Sequence, residues 1–336
     1  MRHLVTGGAG FIGSALVRRL VALGEEVRVF DDLSRGDMRR LPKSPQGWTL
    51  LEGDIRDRES VAKALNGCDI IWHLAYVGDT QRFYDNPKMV WDIGVNGIAN
   101  VLDVCEHQGG KELFLVSSSE TYQIQPEGMT PTPETVPLSV PDVLNPRASY
   151  GGGKIASELG ALAYSMSGLL KRTVIMRPHN VTGPDMGTGH VIPQFAVRMR
   201  QLIEARTTVT YEGGGSVELA TNSDDPLPFP IQGTGKETRS FIYIDDLIDA
   251  FLILYLKGED RGIYHIGTMD ERTIAQVAHE VADCFGRKIN VVPGQLAAGS
   301  PPRRLPDISK IRALGFEPKV GFKEAVARTV EWYAVN

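Results

Sequence analysis

The chain has 336 residues, enough for one large domain or two unequal lobes with an ample core. Apolar content of 42% and charged content of 23% are ordinary for a soluble globular protein, and a net charge of −5 gives no reason to expect nucleic acid or an anionic membrane as partner. Three scattered cysteines, Cys68, Cys105 and Cys284, argue against a disulfide framework or a zinc site.

The N-terminal "MRHLVTGGAG" enters a strand at once and lacks the apolar core of a signal peptide. No apolar run is long enough to span a bilayer, so the expected location is the cytoplasm. "HLVT" leads into a helix-like "FIGSALVRRLVALG", then "EVRVFDD" and "WTLLEGD" follow as strands. After "ESVAKALNG" come "DIIWHLA", a long segment from Pro87 to His107, and "KELFLVSSS". A helix from about Tyr150 to Ser167 and the strand "RTVIMRP" complete the first half. Strands alternating with amphipathic helices predict an α/β fold, a Rossmann-type doubly wound parallel sheet covered on both faces.

After Asn180 the pattern changes to Gly- and Pro-rich joints with short elements. Residues 206–221, "RTTVTYEGGGSVELAT", predict a hairpin turning at Gly213 to Gly215. It reads either as part of a substrate mouth or as a plain surface insertion. "SDDPLPFP" reads as a loop, and "RSFIYIDDLIDAFLILYL" as a strand and helix returning to the main sheet. The tail from Tyr264 reads as part of a smaller C-terminal lobe. The expected division is residues 1–179 with 240–262 for the sheet domain, and 180–239 with 263–336 for the second lobe.

"TGGAGFIG" satisfies two glycine templates, Gly7, Gly10, Gly13 and Gly8, Gly10, Gly13, with Phe11 and Ile12 opening a helix inside it. It follows a strand and begins an apolar helix, as a dinucleotide fingerprint requires. Glycines let the backbone approach a pyrophosphate, and the helix N-terminus supplies free N–H groups. Asp31 and Asp32 end the second strand, 18 and 19 residues past Gly13. A carboxylate there bonds a ribose diol and repels a 2′-phosphate, which predicts NAD rather than NADP, through Asp31 with Asp32 as neighbour or surface charge. Asp54 and Ile55, in "GDI", end the third strand. Asp54 reads either as an adenine contact or as a turn-former.

Tyr150 and Lys154 stand four apart at the start of a helix, on one face. An ammonium there favours the tyrosinate. Bringing a phenol from about 10 to near 7 takes roughly 4 kcal/mol of differential stabilisation. Gly151, Gly152 and Gly153 lie between them. They read either as a loose helix start or as backbone lying close under a cofactor or sugar.

The glycine fingerprint, Asp31, "HLA" after the fourth strand, a Ser cluster after the fifth and Tyr150-x-x-x-Lys154 occur in chain order. As a set they resemble the extended short-chain dehydrogenase/reductases, specifically the nucleotide-sugar epimerases and dehydratases. The resemblance implies tightly held NAD, contacted also by Leu74, Ala75 and Tyr76, and a small lobe gripping a nucleoside diphosphate sugar. It implies that hydride leaves C4 of the sugar while Tyr150 takes the hydroxyl proton, with Ser118 sharing that bond and Ser119 lining the pocket. Glu120 falls where sugar 4,6-dehydratases and glucuronate decarboxylases carry Glu. It is therefore expected as a base at C5, where a 4-ketone makes the proton acidic.

The same resemblance assigns Asn180, Arg239 and Arg304 (in preference to Arg303) to the diphosphate and starts a helix near the nucleotide at Val191. Arginine suits phosphate because its planar fork meets two oxygens at once. Three departures stand out. Asp185 replaces the Arg usual in decarboxylases, Thr182 replaces an aromatic, and Tyr76 replaces a small residue. His179 and His190 have no ligand partner at a metal spacing, so no metal is expected. The expected reaction is 4,6-dehydration. A 4-epimerase or C5 epimerase comes next, and uronic acid decarboxylation third. A simple alcohol or steroid dehydrogenase, or a non-catalytic NAD sensor, are the readings outside the class. A homodimer through the helices around 87–107 and 150–167 is the expected assembly.

Overall fold

The structure, a computed structural model, describes residues 1–78, 80–123, 128–204, 208–211, 215–218, 226–296 and 299–336. The first six strands are β1 (Arg2–Thr6), β2 (Glu26–Asp31), β3 (Trp48–Glu52), β4 (Ile70–His73), β5 (Glu112–Val116) and β6 (Arg172–Pro178). The helices among them are α1 (Phe11–Ala22), α2 (Arg58–Leu65), α3 (Thr80–Asp85), α4 (Pro87–Trp91), α5 (Gly97–Gln108) and α6 (Ala148–Met166). A π-turn over Asp92–Asn96 joins α4 to α5. Then come β7 (Val181–Thr182), α7 (Val191–Glu204), β8 (Thr208–Tyr211), β9 (Gly215–Glu218), β10 (Leu227–Pro230), β11 (Thr238–Ser240) and β12 (Ile242–Tyr243). The chain continues through α8 (Ile244–Lys257), β13 (Gly262–Ile266), β14 (Glu271–Thr273), α9 (Ile274–Cys284), β15 (Ile289–Val292), β16 (Arg303–Arg304), α10 (Ser309–Arg312) and α11 (Phe322–Val335).

Seven parallel strands form the main sheet in the order β13-β6-β5-β4-β1-β2-β3. Period-two alternation decides which core each side chain joins. Val5, Trp72, Phe114 and Val174 pack under α1 and α8. Leu4, Ile71, Leu113 and Ile175 pack on the opposite face with residues of α2, α5 and α6. The strand order reverses between β1 and β4, which opens a crevice at their C-terminal ends. A separate core of α7, α9, α11, β10 and β15 forms the second lobe. Among the described residues no helix is long and apolar enough to cross a membrane.

Two expectations need correction. The strands of "RSFIYI" do not return to the main sheet: β11 pairs with β14 and β16, and β12 pairs with β7. The strand that does join it is β13, beside β6, so a lobe boundary after residue 262 falls inside a sheet strand, and Tyr264 is buried in the sheet core. A five-residue apolar run carries no local mark of its distant parallel partner. The expected hairpin exists as antiparallel β8 and β9. Gly215 begins β9, and residues 212–214 of the expected turn lie outside the described residues.

Candidate active site

Close approach shapes the glycine turn between β1 and α1. Gly7 has φ +66°, and a Cβ there would stand 2.9 Å from the Ala75 backbone. Glycine meets both demands without strain. A Cβ at Gly13 would collide with the Gly7 carbonyl, so glycine lets α1 sit against the turn. Gly10 begins α1 with no side-chain cap and no acidic residue in the first turn. Its free N–H groups and positive dipole end fit a pyrophosphate. Phe11 packs against both lobes' cores, and Ile12 against the sheet core.

Asp31 is buried at the end of β2 and accepts from the Ala9 and Leu33 N–H groups at 2.9 Å each. Burial pushes its carboxyl up, and the two backbone bonds work against that. Each carboxylate oxygen keeps a lone pair for a ribose hydroxyl. Asp32 is turned to the surface, accepting from the Ser34 N–H at 3.0 Å and hydroxyl at 2.6 Å. The Asp54 carboxylate is taken by the Arg56 fork, 2.9 Å from Nε, while Ile55 is buried against Gly97. The N–H groups of Leu74 and Ala75 both donate to Thr6 Oγ1 at 3.1 Å, which fixes the end of β4 beside β1.

At the other end of the crevice Tyr150 and Lys154 lie one turn apart on α6. The Ser118 hydroxyl stands beside the Tyr150 phenol and accepts from the Glu120 N–H at 3.2 Å. Burial pushes the phenol up to about 12. The Ser118 hydroxyl counters this, and the Glu120 charge adds to it. Lys154 is buried, and its Nζ donates to the Val116 carbonyl at 2.7 Å. Burial lowers the ammonium to about 7, against the pull of Glu158. The Tyr76 ring lies 3.9 Å from that Nζ. Ser119 is buried within the short turn that Ser118 caps.

Glu120 is neither surface decoration nor a free base. Its Oε1 accepts from Arg304 Nη1 at 2.6 Å and Arg147 Nη2 at 2.7 Å, and its Oε2 from Arg147 Nε at 3.2 Å. Burial alone would raise the carboxyl, but Arg304 and Arg147 outweigh it and hold it well below the usual carboxylate range. Arg304 leaves Nε and Nη2 buried without a partner. Those two groups form the edge of the fork that grips phosphate or carboxylate in bidentate fashion. Arg239 stands nearby, donating to the Thr238 carbonyl at 2.7 Å and the Pro301 carbonyl at 2.8 Å. Burial, then repulsion from Arg304, lowers Arg239 to about 9.

Residues 3–267 match the model of the NAD dependent epimerase/dehydratase family. The chain belongs to that family. NAD is its cofactor, and the glycine turn, the uncapped head of α1 and Asp31 are the residues that fit it. UDP-glucuronic acid decarboxylase 1 of Arabidopsis thaliana is 30% identical over 335 residues, covering 98% of this chain and 69% of that protein. DesIV, a dTDP-glucose 4,6-dehydratase of Streptomyces venezuelae solved with NAD, has a TM-score of 0.84 at 29% identity, covering 100% of this chain and 98% of that one. The UDP-glucose 4-epimerase of Thermus thermophilus, solved with NAD, has a TM-score of 0.81 at 29% identity over 99% of both chains. These relatives run three different reactions, so family membership leaves the choice to the sugar end of the site.

Within this family member the other expected substrate residues are spread unevenly. Arg303 pairs with Glu271 at 2.7 Å on the surface, whereas Arg304 is buried at the site. Asn180 takes φ +31° and donates its Nδ2 to the Ser240 carbonyl at 2.8 Å. Val191 begins α7 and packs on the second core. Thr182 is buried in the joint between β7 and α11, its hydroxyl 3.1 Å from that of Thr329. Asp185 is held in a fork by Arg40, at 2.7 and 2.9 Å. His179 is buried, and neither ring nitrogen has a partner.

Arg147 escapes a reading of spacing alone. It occupies the N-cap position of α6. A cation is disfavoured at that end of a helix, so its presence is a signal that an anion stands nearby. Glu158 and Arg177 also go unread. They form a pair buried to about 2% exposure, at 2.5 Å, one turn beyond Lys154.

Proposed function

We propose that the protein oxidises a nucleoside diphosphate sugar transiently at C4 and completes the reaction without a base at C5, as a 4-epimerase. The observation that carries this is the clamp of Arg147 and Arg304 on Glu120. A carboxylate held by two guanidinia has too little basicity to take a C5 proton, which weighs against the 4,6-dehydration favoured by sequence.

Tyr150 takes the proton of the C4 hydroxyl, Ser118 shares that hydrogen bond, and the Lys154 ammonium favours the tyrosinate. Bound NAD supplies the hydride acceptor. Arg304 offers its unpaired edge to the diphosphate, with Arg239 beside it. Three guanidinia against one carboxylate leave a positive surplus that an anionic ligand relieves. A simple alcohol or steroid dehydrogenase has no use for that edge.

Decarboxylation of a uronic acid is the second reading. A 4-keto acid loses carbon dioxide without a base, and Arg147 stands at the sugar end to meet a carboxylate. Asp185, the departure that counts against it in sequence, engages Arg40 instead of the sugar end.

Incubating the NAD-loaded protein with nucleoside diphosphate hexoses and uronic acids in heavy water, with products read by mass spectrometry, separates these outcomes. An isomer of unchanged mass without deuterium supports the 4-epimerase. Loss of carbon dioxide selects the second reading. Deuterium together with loss of water restores Glu120 as a base and overturns both.

A further inference from the structure

Tyr76, expected to contact NAD, has no part in the expected proton chemistry, yet two segments are shaped around it. Its hydroxyl enters the crevice between α6 and the π-turn. A Cβ at Gly94 or at Gly153 would collide with that oxygen. The turn carrying Gly94 is the one place where the α4–α5 segment widens from α to π, a distortion that tends to mark functional sites. The hydroxyl is buried and has no hydrogen-bond partner. The ring is therefore what the arrangement preserves, and it meets Tyr150 edge-on at 5.1 Å as well as facing Lys154.

The ammonium has few other sources of negative charge. Glu158, one turn along α6, is committed to Arg177 and to the Ser117 hydroxyl. From β4, His73 is buried, its ring pushed down to about 3 by burial and by the Lys154 charge, so it is neutral and supplies no charge. From β5, Val116 offers a carbonyl. Tyr150, on α6 itself, is a neutral phenol until it works. What remains are two ring faces, Tyr150 at 5.9 Å from Nζ and Tyr76 much nearer at 3.9 Å, and a π-face attracts a desolvated cation.

We propose that Tyr76 is a positioning residue for Lys154: its ring face stands in for a counter-ion, keeping the buried ammonium protonated and fixed beside Tyr150. The proposal rests on the proposed function only for the work that Tyr150 does, since the Lys154 environment exists with or without a sugar.

The test is the titration of Lys154 in NAD-loaded protein carrying 13Cε-labelled lysine, the resonance being assigned by its loss in Lys154→Arg. Tyr76→Leu keeps apolar bulk without a π-face, and Tyr76→Phe keeps the ring. Lys154 is expected to titrate about one pH unit lower in Tyr76→Leu and at the native pH in Tyr76→Phe. Tyr76→Met serves as a second ring-free variant, so a folding defect peculiar to Leu leaves the result readable. An unchanged titration in the ring-free variants, or an equal shift in Tyr76→Phe, overturns the proposal. No sugar is needed, so this test fails or succeeds independently of the 4-epimerase reading. Where turnover is measurable, activity that needs the ammonium is lost as pH rises through its pKa. That alkaline limb moves to lower pH by the same amount in Tyr76→Leu, with KM held.

Discussion

Replacing Glu120 by Gln leaves Arg147 and Arg304 facing each other without their shared anion. Unpairing a buried charge of this kind costs about 3 kcal/mol, which urea denaturation of Glu120→Gln reads directly. The catalytic expectation is milder. A counter-ion lost lowers kcat less than about tenfold, whereas a general base lost costs about 10²- to 10⁴-fold. The pH dependence has a definite sign. The folded carboxyl lies well below its ordinary value of 4.5, so its contribution to stability is complete above that value. It is lost as pH falls through the depressed folded value. The stability gap between wild type and Glu120→Gln therefore stays constant from neutrality down to about pH 4.5 and closes only in stronger acid. Tyr150, Lys154 and Ser118 are legible in sequence because their relation is local or fixed by the end of a strand. The partners of Glu120 are not, since Arg304 stands 184 residues away and only folding brings the two together.

Helix α6 shows how an element can be legible while the surroundings of its glycines are not. Its extent follows from period and from the Tyr150–Lys154 spacing. The glycines between them, however, make room for the protein's own side chains: Gly151 for Gln123 and Gly153 for Tyr76. In an unobstructed helix Gly→Ala gains about 1 kcal/mol. Gly153→Ala is therefore expected to lower stability in the native background and to become neutral or stabilising in Tyr76→Phe, where the obstructing oxygen is gone. A double-mutant cycle by thermal denaturation checks the coupling, expected at about 1 kcal/mol or more. The first six strands are legible because each short apolar run sits between turn signals at βαβ spacing. β13 is not, because "GIYHI" after a surface turn carries nothing that names β6 as its neighbour.

The two lobes meet around the cofactor turn. Arg40 stands on a short turn, and the N–H of Asp37 at its head donates to the Ala9 carbonyl of the glycine loop at 3.0 Å. Asp185 follows Gly183, whose Cβ position lies 3.2 Å from Phe11 at the head of α1. Asp185 holds φ +55°, a left-handed conformation unusual for a non-glycine residue and kept here by its fork with Arg40. Asp185→Asn is expected to release NAD about tenfold faster on dilution, followed by the fluorescence of a displacing analogue, because a charge-assisted fork contributes about 1.5 kcal/mol or more. We also propose the homodimer through the helices around 87–107 and 150–167, where Trp91, Leu159 and Met166 are 43%, 61% and 68% exposed. Leu159→Asp is expected to turn a dimer into a monomer in light scattering. The placement of β13 also bears on how the chain is made. β6 leaves the ribosome long before its sheet neighbour, because residues 179–261 must be synthesised between them. Through that interval the β6 edge is open to other nascent chains, so the first lobe is exposed to aggregation until part of the second has been made and β13 follows it.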